Sequence, residues 1–106
     1  MSIEVNVRHE TEEATKKFAE IYAEQRAEQI IAKFNKIDNV HVVVDHQRHL
    51  FESEFVVHVK GHTVRAKEHA SNLRSAIDIA TARVVKQLRK IANKVEAVHM
   101  HQAKHV

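Results

Sequence analysis

The sequence contains no cysteine, no proline, no tryptophan and a single glycine, Gly61. Without cysteine there is no disulfide framework, no thiolate metal site and no thiol nucleophile. Without proline, and with one glycine, sharp turns are few and long regular elements are expected. No apolar run approaches the roughly 20 residues needed to cross a bilayer. The opening MSIEVNVRHE alternates where a signal peptide would carry an apolar core. There is no glycine-rich phosphate loop, and no serine sits in a recognisable nucleophile turn. Asp45 and His46 are neighbours in sequence, but adjacent strand residues point to opposite faces. These absences lead us to expect a cytoplasmic protein with no catalytic activity, no cofactor, no small-molecule substrate and no membrane partner.

What is present suits one modest globular domain: 106 residues, of which 43% are hydrophobic and 29% charged. The formal net charge of +3 is unevenly spread. Residues 71–106 hold seven Lys/Arg against two Asp/Glu, while residues 1–70 hold ten against twelve. Such clustering points to an anionic partner more than the total does.

Taken in order, Ser2–Arg8 alternates, with Ile3, Val5 and Val7 on one side, and reads as a half-buried strand. Thr11, followed by Glu12 and Glu13, reads as the start of a helix that runs to about Lys36. On that helix Ala19, Tyr22, Ala23, Ala27, Ile30 and Phe34 share a face, whereas Phe18 and Ile21 point away from it. A helix bend near Gln25, packing on a neighbouring loop or self-association would each account for this pair. Asp38-Asn39 reads as a turn, Val40–Asp45 as a strand, and His46–Leu50 as a polar connection carrying Arg48. Phe51–Lys60 is a second strand with Phe55, Val57 and Val59 inward. At Lys60-Gly61 the glycine supplies a positive φ for the turn. Thr63–Lys67 is a short strand, Ser71 or Asn72 caps the last helix, and the His-rich tail 99–106 is too polar to pack behind a domain of residues 1–98. The order β-α-β-β-β-α, with one apolar face per element, predicts a two-layer α/β (α+β) fold: a four-stranded sheet with both helices on one face. The last three strands should form an antiparallel meander, with the helical connection allowing the first two to run parallel.

The final helix, AIDIATARVVKQLRKIANK from Ala76, carries two stripes. Ala76, Ile77, Ala80, Val84, Leu88, Ile91 and Val95 recur at three- and four-residue spacing and share one face. Arg83, Lys86, Lys90 and Lys94 recur at the same spacing about a quarter-turn away. A helix of this kind can dock on a core and present a row of fixed cations to a polyanion. With aromatic residues at only 5% of the chain, recognition of RNA shape and backbone is expected before base stacking.

HVKGHTVRA (His58–Ala66), the AID at Ala76–Asp78 and RVVKQLRK (Arg83–Lys90) together resemble the ribosome hibernation promoting factor family of ribosome-associated translation inhibitors. The resemblance implies a fold like that of double-stranded-RNA-binding domains. It implies binding to the small ribosomal subunit and ribosomal RNA in the messenger and transfer RNA channel, inhibition of translation, and stabilisation of idle ribosomes under stress. Carried over by position, Arg83, Lys86, Lys90 and Lys94 match basic positions of the family helix, Arg89 lies in the same run, and Arg48 matches a basic position in the connection between the second and third strands. Residues 1–29 depart from the family pattern, and Asp45 and Ala92 stand where basic residues are common. The chain resembles the short form, without the dimerisation domain of longer members, so a monomer is expected. Two other readings stay open: a structured-RNA-binding module without a ribosomal role, and a protein–protein adaptor using the outward sheet face at Val43 and Val56.

Ten histidines complete the inventory. His99, His101 and His105 could ligate a transition metal or simply lie in a polar tail. His41 and His58, expected outward and near His46, His49 and His62, would gain charge near a pH of about 6.5 and strengthen RNA binding on acidification.

Overall fold

Six elements appear in the computed structural model, in the expected order: β1 (Ser2–Arg8), α1 (Glu13–Lys33), β2 (Ile37–Gln47), β3 (Leu50–Val59), β4 (His62–Ala70) and α2 (Leu73–Lys104). The structure describes the backbone of residues 2–104 and the side chains of residues 2–92. The expectations for Lys94, Val95, His99, His101 and His105 therefore lie outside the described side chains.

The strands form one mixed sheet in the order β1-β2-β3-β4. β1 runs parallel to β2, and β2, β3 and β4 form the antiparallel meander. Period-two alternation turns Val40, Val42, Val44, Phe55, Val57, Val64 and Ala66 to the same side, where all are buried. Both helices cover that side, α1 over β1 and β2, α2 over β3 and β4. From α1 the core receives Ala19, Ala23, Ala27 and Ile30; from α2 it receives Ile77, Ala80, Val84 and Leu88. Alanine at every fourth position of α1 lets that helix settle close to the sheet; a larger side chain at Ala23 would cost about 1–3 kcal/mol in overpacking.

Several element boundaries differ from expectation, and those of α1, β2 and β4 have local reasons. The N-cap of α1 is Glu12, not Thr11, and its side chain makes no capping bond. Instead Glu10 Oε2 accepts the Glu12 N–H at 3.0 Å, and Thr15 Oγ1 donates to Glu12 Oε1 at 3.1 Å. α1 ends at Lys33 because Phe34 is already extended, at φ −125°, while its N–H still donates to the Ile30 carbonyl at 3.1 Å. The turn falls on Asn35-Lys36, with Lys36 at φ +67°, and not on Asp38-Asn39. Asp38 lies inside β2, at a register shift between Ile37 and Asn39, so a bulge takes up the residue that looked like a turn. β4 runs on to Ala70, pairing Glu68, His69 and Ala70 with Ser53, Glu52 and Phe51.

Both hairpins are tight. Gln47 pairs with Leu50 across Arg48-His49, with Arg48 at φ +57°. Val59 pairs with His62 across Lys60-Gly61, at φ +22° and +78°. Asn72 caps α2 as expected, its Oδ1 accepting the Ser75 N–H at 3.1 Å.

Candidate nucleic-acid interface

α2 is the element on which most candidate cations lie, and its burial pattern explains their placement. Ala76, Ile77, Ala80, Val84 and Leu88 are buried, and Ile91 packs partly against the core. Arg83, Lys86, Arg89 and Lys90 are all exposed. They are not equivalent. Arg83 Nε donates to Glu68 Oε2 of β4 at 2.9 Å. One turn further, Gln87 Nε2 donates to the Arg65 carbonyl at 3.1 Å. These two bonds fasten one flank of α2 to the sheet edge, so Arg83 serves first as a tie between helix and strand.

Lys86 and Lys90 lie along the same flank, and neither makes an ion pair among the described residues. Arg89 sits about 60° round the helix from Lys86 and about 100° from Lys90, outside the stripe. It follows the row of Ala82 and Val85, which borders a cleft between the helices beside Lys33. Arg48 is distant from all of them. It occupies the β2–β3 turn, at the end of the sheet where α2 begins, whereas Ile91 lies near the β3–β4 turn at the other end.

The outward sheet face carries cations too, and those of β4 are paired with carboxylates. Arg65 lies 3.5 Å from Glu54, Lys67 3.5 Å from Glu52, and His69 Nε2 2.7 Å from the same Glu52. Each pair is a cross-strand neighbour or a diagonal one. Asp45, on this face, accepts a hydrogen bond from His9 Nδ1 at 2.8 Å. That bond holds its carboxyl below the usual carboxylate value, although partial burial opposes the shift. Val43 and Val56 are half-buried between His41, Glu54 and Arg65, so they form no open apolar patch.

The expected group of outward histidines is not one cluster. His41 and His58 face outward. His46 faces the helices instead, stacked on Phe51 at 4.0 Å, with its Nδ1 donating to Glu10 Oε1 at 2.9 Å. His49 lies in the β2–β3 turn and His62 opens β4 beside the β3–β4 turn, at opposite ends of the sheet. His9, His41, His46 and His69 each face a carboxylate. Asp45 and His46 lie on opposite faces of β2, each with its own partner. Among the described residues no group of three or more His, Asp or Glu is placed to hold a metal ion.

Phe18 and Ile21 are 43% and 49% exposed. No loop covers them; Phe18 stacks on Tyr22 at 5.4 Å. Arg74 lies over the other side of that aromatic pair, 5.2 Å from the Tyr22 ring centre. The Tyr22 hydroxyl donates to Asp78, which also faces Arg26 Nε at 3.5 Å, so this network joins the two helices. Two cations escaped sequence reasoning. Lys36 and Lys60 meet where the α1–β2 turn and the β3–β4 turn come together beside Val59 and Ile91. The only sequence signal was the Lys60-Gly61 turn, which gives no hint of Lys36.

A four-stranded mixed sheet under two helices, with an exposed cationic row on the second helix, defines an α+β protein. The chain belongs to the family described as sigma 54 modulation protein / S30EA ribosomal protein, whose sequence pattern matches residues 3–96. The match begins within β1, so it takes in residues that depart from the pattern noted above, and the resemblance to hibernation promoting factors is borne out. Among solved structures, a ribosomal subunit interface protein from Coxiella burnetii superposes with a TM-score of 0.71, at 17% identity, over 88% of this chain and 99% of its own. The N-terminal domain of Thermus thermophilus Protein Y gives a TM-score of 0.65, at 22% identity, over 86% of this chain and 99% of its own. At these identities the likeness bears on the fold. No curated protein matches the sequence. No helix among the described residues is long and apolar enough to cross a membrane.

Proposed function

We propose that this chain is a cytoplasmic ribosome-binding protein that occupies the messenger and transfer RNA channel of the small subunit and so inhibits translation, keeping idle ribosomes intact under stress. It acts by occupancy, with no bond made or broken and no cofactor. The observation that carries the reading is the pair Lys86 and Lys90: exposed, without an ion-pair partner among the described residues, and held on a helix whose other face is buried. Kinship with an S30EA ribosomal protein family and a fold shared with a protein named for the ribosomal subunit interface support the same partner. Arg89 and Lys94 extend the contact along α2, Arg83 joins it when released from Glu68, and Arg48 touches ribosomal RNA from the far end of the sheet.

Phosphate neutralisation supplies the affinity. With three phosphates neutralised, a slope of about −0.9 per phosphate predicts a loss of about 40-fold between 50 and 200 mM salt. Co-sedimentation with small subunits across that range measures it. Lys86→Glu with Lys90→Glu should abolish co-sedimentation while leaving the thermal midpoint unchanged, since neither side chain is buried. Arg83→Glu is the poorer test, because it sets a carboxylate against Glu68 and disturbs the fold. Undiminished binding by the double variant removes α2 as the contact surface. Equal affinity for small subunits and for a generic RNA duplex makes the chain a structured-RNA-binding module without a ribosomal role.

A further inference from the structure

The end of the sheet away from Arg48 holds a cleft of about 350 Å³ lined by Asn35, Lys36, Val59, Lys60, His62 and Ile91. Topology builds it. Ile37 pairs with Val59 just before the bulge at Asp38, so the turn that ends α1 and the turn that joins β3 to β4 are brought side by side. Lys36 and Lys60 consequently line the same cleft, and a side-chain hydrogen bond with Lys60, followed by the repulsion of its charge, holds Lys36 below the usual lysine value. Neither lysine makes an ion pair among the described residues.

Three features of the cleft are unusual together. Among the described residues its polar lining contains no carboxylate: two ammoniums, an amide and an imidazole can all donate to one acceptor group. Its remaining lining, Val59 and Ile91, is apolar. Both lysines also stand in the left-handed backbone region, Lys36 at φ +67° and Lys60 at φ +22°, where glycine or asparagine fits with less strain. Two cations are thus held together without a counter-charge among the described residues, on backbone that favours other residues. A bound anion would relieve the repulsion between them.

We propose that this cleft is a binding site for a phosphate group, carried by a free nucleotide or by an RNA backbone, with Lys36 and Lys60 gripping its oxygens from two sides and Asn35 and His62 completing the donor set. Lys86 and Lys90 are not among the residues that line the cleft, and the proposal does not rest on the ribosomal reading. A free nucleotide would add contact between its nucleoside and the apolar pair Val59 and Ile91. An RNA strand would use the phosphate subsite alone.

Titration of the full chain with inorganic pyrophosphate, followed by the backbone amide resonances, tests the proposal. Saturable shifts are expected at Asn35–Ile37 and Lys60–His62. Lys36→Gln with Lys60→Gln should weaken binding about tenfold, as loss of charge-assisted hydrogen bonds requires. Lys36→Arg with Lys60→Arg should retain it, which separates a lost site from a lost fold. Adenosine diphosphate binding more tightly than pyrophosphate identifies a free nucleotide as the ligand. Equal affinities, together with shifts at the same amides on adding a short RNA duplex, identify the RNA backbone. Shifts confined to α2, or an affinity unaltered by Lys36→Gln with Lys60→Gln, overturn the site. Because the two pairs of lysines are changed separately, failure here and failure of small-subunit binding are read independently.

Discussion

The β4 row on the outer face of the sheet and the outer flank of α2 both carry basic residues, yet the first row is paired with carboxylates and Lys86 and Lys90 of the second are unpaired among the described residues. On the sheet, Arg65 and Lys67 stand on β4 beside Glu54 and Glu52 of β3, in reach of both. Strand neighbours are close enough that a cation on one strand finds a carboxylate on the next. On α2 the helix lies on the sheet by one face, and beyond Arg83 its exposed cations Lys86, Arg89 and Lys90 make no ion pair among the described residues. Exposure is therefore a poor guide to the charge a partner meets; the element alongside decides it.

The largest test of this contrast compares two double variants. Lys86→Glu with Lys90→Glu should weaken binding to the small subunit about 100-fold, by removing two phosphate contacts and adding repulsion. Arg65→Gln with Lys67→Gln should change it less than about threefold, because those cations are already committed to Glu54 and Glu52. Co-sedimentation at one fixed salt concentration measures both, and equal losses would erase the distinction between the two surfaces.

A smaller effect is expected where the two surfaces meet. Glu68→Gln weakens the bond that ties Arg83 to β4. Arg83 then becomes available to an RNA phosphate, and affinity should rise about two- to threefold. Stability should fall by about 0.5 kcal/mol, the usual worth of a partly exposed ion pair. Urea denaturation and a binding titration on the same variant check the two signs. A loss of affinity would mean that Arg83 acts in binding only through the position that Glu68 gives it.

The smallest effect concerns pH. Asp45 has its carboxyl held below the ordinary value of 3.8, first by the hydrogen bond from His9. A depressed carboxylate contributes stability that is present above its unfolded value and is lost as pH falls through its folded one. The thermal midpoint of the wild type should therefore exceed that of Asp45→Asn slightly at mildly acidic pH, and the gap should close as the pH drops below 3.8. A gap that widens in acid would mean that His9 is not the cause.

Much of the fold was legible because it rests on local periodicity. Alternation in Ser2–Arg8 and the inward set Phe55, Val57 and Val59 needed no knowledge of neighbours, and the structure places them as expected. Asn72 was legible as a cap because a helix start has a local chemistry. The errors also have local causes. Asp38-Asn39 has the composition of a turn, but pairing with β3 absorbed it as a bulge. Lys67 looked like the end of β4, since Glu68 and His69 lack strand character, yet β3 was long enough to extend the pairing to Ala70.

By itself, then, the sequence determined the element order, the apolar face of each element and the cationic row on α2, because each depends on residues a few positions apart. Which cations remain free was decided only in three dimensions. Arg83 meets Glu68 from the preceding strand, and Lys36 meets Lys60 from a different turn. Charge interactions act through space between residues that the chain brings together by folding. Their partners become visible only once the strand register and the seat of the helix on the sheet are set.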